Sequence, residues 1–149
     1  MGFFEKFILF LATGAGSGRI PFAPGTFGTI AGIPVVFLLY LVPSSMQVFS
    51  ILVVILFAMW TSDRAEALIG EKDPGCIVID EIAGLTVAMA GISLSVCSVA
   101  SGFLIFRLFD IIKPFPVSFF EKKFHGGAGI VLDDVVAGLY SIIVLRILF

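Results

Sequence analysis

The stretch CIVIDEIAGL, residues 76–85, places two adjacent carboxylates inside an otherwise apolar run. No Lys or Arg lies within the stretch to neutralise Asp80 and Glu81. Burying an isolated carboxylate is so costly that the group usually takes up a proton instead of remaining charged. The two acids therefore need a water-facing position or a cationic partner, and the rest of the chain has to supply it.

The composition of the chain indicates an integral membrane protein. Of its 149 residues, 59% are hydrophobic and 13% are charged, and the mean hydropathy is +1.16. Soluble domains have about 45–50% apolar and about 25% charged residues, so a globule of this composition could not cover itself with polar side chains. We expect a single membrane-embedded domain over residues 1–149. The net charge of −2 argues against a nucleic-acid partner.

The first half of the chain predicts a short surface helix and two membrane passes. Residues 1–16 resemble a signal peptide only weakly, because Glu5 spoils the basic start and the apolar core is short, and we expect an uncleaved interfacial helix. The Gly- and Pro-rich residues 13–29 break it. No charge then occurs between Arg19 and Asp63, which allows passes near 29–42 and 46–62. Both are shorter than the ~20 residues of an upright span, so they must tilt or insert partially.

The second half allows two topologies. Residues 82–106 could form one long span, or segments near 77–91 and 95–112 could form a hairpin that turns at GISLS, residues 91–95. With the hairpin, loops 13–29, 61–81 and 107–134 emerge on one face, which then holds every charged residue between Arg19 and Asp134. We favour the hairpin, since ionisable residues in a membrane usually share one site.

The predicted fold is therefore an all-α, polytopic membrane bundle of about 4–6 short or tilted helices with one polar face. A last apolar segment runs from about 130 to 149. Lys113, Lys122 and Lys123 outnumber Glu121 in the preceding loop, which predicts that the polar face is cytoplasmic.

Three acidic clusters occupy the edges of this polar face: Asp80 with Glu81, Asp110, and Asp133 with Asp134. Two further acids, Asp63 and Glu66, lie beside them if the hairpin forms. Several ionised carboxylates cannot share a site of low dielectric constant unless a cation lies between them. Oxygen ligands select Mg²⁺, Mn²⁺ or Ca²⁺ over zinc, and the chain has a single His.

Cations and glycine-rich loops are interleaved with these acids. Arg107, Asp110 and Lys113 follow at intervals of three, so neighbouring pairs share a helix face. PGTFGT (24–29) and HGGAG (125–129) each precede a predicted helix, whose N-terminus is a favourable anion site. Carboxylates for a metal, basic side chains and free backbone N–H groups together are what phosphoryl transfer needs. No GxxxxGK[ST] loop or G-x-S-x-G elbow occurs, which disfavours nucleotide binding and a covalent serine route.

Four long motifs together resemble the bacterial phosphatidylglycerophosphatase A family. They are PFAPGTFGT (21–29), KDPGCIVIDEIAG (72–84), FRLFDIIKPFP (106–116) and HGGAGIVLDDVVAG (125–138). The resemblance implies a Mg²⁺-dependent lipid phosphatase of phospholipid biosynthesis. Such an enzyme hydrolyses the terminal phosphomonoester of phosphatidylglycerophosphate to phosphatidylglycerol and phosphate. We therefore expect the cytoplasmic membrane of a bacterium, and the lysine excess of loop 113–123 predicts that the active site faces the cytoplasm.

On this hypothesis the acids form one or two Mg²⁺ sites at the interface. The expected metal ligands are Asp80, Glu81, Asp110, Asp133 and Asp134, with Asp63 and Glu66 as further candidates. The expected phosphate-binding residues are Arg107, Lys113 and Arg19, with Thr26 and Thr29 beside them. A carboxylate such as Asp80, Glu81, Asp110 or Asp134, or else His125, would transfer protons.

Two other functions use similar residues. A small cation-coupled transporter would use the intramembrane acids as a relay, but it needs polar groups on both sides of the bilayer. Here the loops VPSS and GISLS, on the opposite face, are nearly free of charge. Another lipid-headgroup enzyme, such as a nucleotide-alcohol phosphotransferase, would carry spaced Asp and Gly residues along one helix, a signature that this chain lacks.

Overall fold

The protein is all-helical in the residues that its computed structural model describes, which are 1–117, 119 and 124–149. Six α-helices and one short 3₁₀ helix, Ser17–Arg19, make up this part of the chain. The α-helices are α1 Phe3–Ala12, α2 Pro24–Tyr40, α3 Ser44–Ile69, α4 Ile79–Ala88, α5 Val96–Ile112 and α6 Gly126–Leu148. The predicted fold class is confirmed.

Two of these helices, α3 and α6, are long and apolar enough to cross a membrane. Only 11% of the apolar window of α3 is buried, and large side chains such as Phe49 and Leu56 are exposed along it. In α6 the buried share is 44%, which makes α6 the central helix of the bundle. Helix α2 is apolar but has only 17 residues, and it contains Pro34. These exposed apolar faces fit contact with lipid better than contact with water.

The α4–α5 hairpin that the sequence favoured is present, and a single span over 82–106 is excluded. Helix α4 ends at Ala88, and the chain turns through Gly91, whose φ is +69°. Ser95 then caps α5 by accepting a hydrogen bond from the backbone N–H of Ser98 at 3.0 Å. As a result, α2, α4 and α6 begin at one end of the bundle, where α3 and α5 finish.

Helices α4 and α6 pack with their backbones in contact, because each has a glycine at the contact point. A Cβ on Gly84 would lie 2.5 Å from the ring of Phe106 and 2.8 Å from the carbonyl oxygen of Asp134. A Cβ on Gly138 would lie 2.5 Å from the carbonyl oxygen of Gly84. Any larger residue at either position would push the two helices apart.

Three helices extend beyond their predicted ends. Helix α3 continues through TSDRAEALI, which contains good helix formers, until Gly70 ends it with φ +75°. Helix α2 begins at Pro24, so the PGTFGT loop is its first turns. Helix α6 begins at Gly126 instead of near residue 130, so HGGAG is its start. Asp133 and Asp134 therefore lie two turns inside α6, where they are only 5% and 3% exposed.

The N-terminal segment forms the predicted short helix. In α1, Ile8, Leu9 and Ala12 are buried, whereas Phe3 and Phe7 are exposed on the opposite face. Lys122, Lys123 and Glu121, on which the predicted orientation depends, lie outside the described residues, so the cytoplasmic orientation stays a prediction.

Candidate functional site

The polar loops meet around one cavity of about 380 Å³ at the end of the bundle where α2, α4 and α6 begin. This is the shared polar face that the hairpin topology predicted. Its acidic lining residues are Glu66, Asp73, Asp80, Glu81, Asp110, Asp133 and Asp134, and its basic ones are Lys72, Arg107 and Lys113. His125 also lines the cavity.

Asp80, Glu81 and Asp134 form a carboxylate triad within this cavity. One carboxylate oxygen from each lies within 4.8 Å of the other two. Asp80 Oδ1, Glu81 Oε2 and Asp134 Oδ2 are buried and have no hydrogen-bond partner in the described chain. Buried polar atoms are almost always hydrogen-bonded, and converging carboxylates repel each other. Three such orphaned oxygens in one place fit a hard cation.

The triad exists because of the contact between α4 and α6. Asp80 and Glu81 lie in the first turn of α4, one turn before Gly84. Asp134 lies one turn before Gly138 on α6. Residues four apart share a helix face, so the close packing of the two glycines brings the preceding acids together. The parallel sequences DEIAG and DDVVAG are thus the two halves of one site.

The other two predicted metal ligands are already neutralised by cations. Asp110 forms an ion pair with Arg107, one turn earlier on α5. Asp133 accepts a hydrogen bond from Lys113 Nζ at 2.8 Å, and a second from the backbone N–H of Asp134 at 3.0 Å. Among the described residues, the five clustered acids therefore form two groups. Asp80, Glu81 and Asp134 each have a carboxylate oxygen without a hydrogen-bond partner, whereas Asp110 and Asp133 each pair with a basic side chain.

Arg107 links the two groups, since its Nη1 also lies 3.8 Å from Glu81 Oε1. Its side chain is only 16% exposed, and its Nε has no partner in the described part of the protein. A largely buried guanidinium beside the triad is well suited to bind an anion there.

Gly25 was missed by sequence reasoning, although it lies in the quoted PGTFGT motif. A Cβ at this position would clash with Glu81 Oε1 and would lie 2.9 Å from Arg107 Nη1. The first turn of α2 therefore packs directly on the Glu81–Arg107 pair, and a larger residue at position 25 would displace the ends of both side chains. The Pro-Gly step was a signal of a helix start, but nothing in the sequence indicated which residues it would contact.

Asp63 and Glu66, the further metal candidates, have structural partners. Asp63 Oδ1 accepts a hydrogen bond from the backbone N–H of Gly127 at 3.4 Å, in the first turn of α6. Glu66 Oε1 accepts from the backbone N–H of Asp73 at 2.9 Å, which holds the loop after α3. Glu66 lines the cavity, but neither residue joins the triad.

The predicted phosphate-binding residues are only partly brought together. Arg107 and Lys113 line the cavity, whereas Arg19 lines a separate one with Lys6 and Thr13. The hydroxyl of Thr29 is fully buried and donates to the carbonyl oxygen of Gly25 at 2.8 Å. Thr29 and Thr26 are absent from the described lining of the acidic cavity, because α2 already starts at Pro24 and carries their side chains past it.

Two exposed residues complete the rim of the cavity. His125 is the residue that precedes α6, and its side chain is exposed to the cavity mouth. Lys72, in the loop between α3 and α4, was quoted within a motif but given no role. Within the described residues Lys72 makes no ion pair, unlike Arg107 and Lys113, which each hold a carboxylate.

Comparison with known proteins places this geometry in a family context. The family model described as "Phosphatidylglycerophosphatase A" matches residues 10–149. A protein of Escherichia coli named "Phosphatidylglycerophosphatase A" is 36% identical over 132 residues, covering 88% of this chain and 77% of the relative. A protein of the same name from Haemophilus influenzae is 42% identical over 138 residues, covering 90% and 83%. A third relative, from Bacteroides thetaiotaomicron, is 37% identical over 145 residues, covering 92% and 90%, and is named "Putative phosphatidylinositol-3-phosphatase". No solved structure matches the chain.

Proposed function

The chain belongs to the phosphatidylglycerophosphatase A family, and we propose that it hydrolyses the terminal phosphomonoester of phosphatidylglycerophosphate, giving phosphatidylglycerol and phosphate. The observation that carries the proposal is the triad of Asp80, Glu81 and Asp134, whose orphaned oxygens converge in a cavity that basic residues also line. Carboxylate oxygens can bind a metal ion, and basic side chains can bind a phosphate.

The charge of the cavity supports a divalent cation as part of the active enzyme. Among the residues that the structure describes, seven carboxylates line it against three Lys or Arg side chains, a formal excess of four negative charges. A phosphomonoester is itself an anion and would be repelled from such a cavity without a bound cation. Mg²⁺ fits an all-oxygen donor set, and Asp80, Glu81 and Asp134 would hold it.

Other residues of the chain orient the phosphate and transfer the proton. A Mg²⁺ ion held by Asp80, Glu81 and Asp134 would supply Lewis-acid chemistry to the phosphate oxygens and to the attacking water. Arg107 and Lys113, held in place by Asp110 and Asp133, orient the phosphate for in-line attack. His125 at the rim donates a proton to the glycerol oxygen that leaves.

The apolar helices support a membrane location for this reaction. We propose that α3 and α6 cross the bilayer and that the cavity faces the cytoplasm. The acyl chains of the substrate then stay at the depth of the hydrocarbon layer while the phosphate reaches the polar end of the bundle.

Metal removal gives a direct test. We expect purified protein in detergent to release phosphate from phosphatidylglycerophosphate with Mg²⁺, and to lose that activity in EDTA because the triad carboxylates then repel the substrate. Adding Mg²⁺ back should restore the rate. Undiminished turnover in EDTA would contradict a metal-dependent mechanism, and no turnover under any condition would contradict the proposed activity.

The name of the third relative motivates a second candidate substrate, phosphatidylinositol 3-phosphate. It is also a lipid with a terminal phosphomonoester, so the same site could act on it. The assay above should therefore include phosphatidylinositol 3-phosphate and phosphatidic acid as parallel substrates. A higher kcat/KM for either of them would replace phosphatidylglycerophosphate as the preferred substrate.

Lys72→Ala should weaken substrate binding without slowing the chemical step. Its exposed ammonium at the rim is available to the lipid headgroup, whereas Arg107 and Lys113 are held beside the triad by carboxylates. An exposed charge pair contributes up to about 1 kcal/mol, so KM should rise about fivefold with kcat unchanged. Lys6→Ala, at the separate cavity that Arg19 lines, is the matched control and should leave KM unchanged. An unchanged KM would show that Lys72 is only a solvated surface residue.

A further inference from the structure

A second, apolar cavity of about 700 Å³ lies between α2 and α5. Its walls are formed by apolar side chains of both helices, including Ile30, Ile33 and Phe37 on α2 and Val99, Ala100 and Phe103 on α5. We call it the α2–α5 groove. It lies outside the acidic cavity, and the mechanism proposed above does not use it.

The groove and the candidate active site are both lined by residues of α2 and α5. At their site end, α2 and α5 are in contact, since a Cβ on Gly25 would meet the guanidinium of Arg107. Further along, the helices separate and the groove opens between them. It is open to the surroundings of the protein as well, since Ile30 and Phe37 are about half exposed.

The distance of the groove from the site matches the depth of one lipid leaflet. With a rise of 1.5 Å per residue, Ile30 lies about 8 Å and Phe37 about 18 Å along α2 from Gly25. One leaflet of the hydrocarbon core is about 15 Å thick. A lipid whose terminal phosphate lies at the triad would therefore have part of an acyl chain at the level of the groove.

From this shared pair of helices and this spacing, we propose that the α2–α5 groove binds one acyl chain of the lipid substrate while its phosphate occupies the acidic cavity. This inference rests on the proposed function. It adds that the groove binds a long acyl chain. Burial of the chain contributes binding energy at a distance from the reacting phosphate, and it aligns the headgroup with the triad.

The test compares long-chain phosphatidylglycerophosphate with a water-soluble analogue that carries two four-carbon chains. Ala100→Trp fills the groove, and it should lower kcat/KM at least tenfold for the long-chain substrate while changing that for the short-chain analogue less than twofold. Leu52→Trp, on the exposed face of α3, is the matched control and should affect neither substrate. An equal loss of kcat/KM on both substrates, or no loss on either, would contradict the binding of an acyl chain in the groove. If the wild-type protein hydrolyses neither substrate, the proposed function itself fails.

A measurement on the wild-type protein covers the case in which Ala100→Trp does not fold. A phosphatidylglycerophosphate analogue with a photoreactive diazirine in mid-chain should attach mainly to residues 30–37 and 96–104. Adducts spread evenly over the exposed apolar faces, including α3, would show that the chain remains among the bulk lipids and would reject the proposal.

Discussion

Replacing Asp134 by asparagine is expected to lower phosphate release by about 10²–10³-fold while the protein still inserts into the membrane. The substitution keeps the shape of the side chain but removes one of the three charges that converge in the cavity. Stabilisation by a metal at a phosphoryl oxygen is worth several kcal/mol, and each 1.4 kcal/mol changes the rate tenfold. Asp80→Asn should have a similar effect, since its Oδ1 is also orphaned.

The measurement is Mg²⁺-dependent phosphate release, with membrane extraction and helical circular dichroism as checks on folding. Glu71→Gln is the matched control, because it removes an exposed carboxylate from the same polar end of the bundle without touching the lining of the cavity. Mn²⁺ binding, followed by electron paramagnetic resonance, should weaken in Asp134→Asn and persist in Glu71→Gln. Near-normal turnover of Asp134→Asn would contradict the proposed role of the triad in metal binding.

Gly84→Ala is expected to impair both stability and activity. The new Cβ would lie 2.8 Å from the backbone oxygen of Asp134 and 2.5 Å from the buried ring of Phe106, so α4 and α6 must separate. Overpacking of this kind costs about 1–3 kcal/mol. A displacement of about 1 Å at the triad can lower the rate about 10²-fold, although residue 84 contacts no substrate.

Thermal unfolding in detergent and phosphate release together test this prediction. Gly138→Ala should behave in the same way, because its Cβ meets the carbonyl oxygen of Gly84. Gly2→Ala, where a Cβ meets nothing within 4 Å, should change neither quantity. If Gly84→Ala is as stable and as active as the wild type, the contact between the two backbones does not set the geometry of the triad.

Much of the candidate site could be predicted from the sequence, because charges are so rare in this chain that their positions limit the topology. Asp80, Asp110 and Asp134 had to leave the lipid at one end of the bundle, and only the α4–α5 hairpin allowed this. The roles of the individual acids could not be predicted in this way. Asp110 and Asp133 look like Asp80 and Asp134 in the sequence, yet Asp110 pairs with Arg107 and Asp133 pairs with Lys113.

The sequence by itself determined the helical fold class, the hairpin and the polar end of the bundle, since hydropathy and Gly or Pro breaks are read along the chain. It also determined the family. Only the tertiary structure decided that Asp134 joins Asp80 and Glu81, that Gly25 lies against Arg107, and that α2 and α5 open into a groove. The physical reason is that these contacts depend on how closely two backbones approach. In this protein Gly84 and Gly138 set that approach between residues more than fifty positions apart, a distance over which hydropathy and helix propensity carry no information.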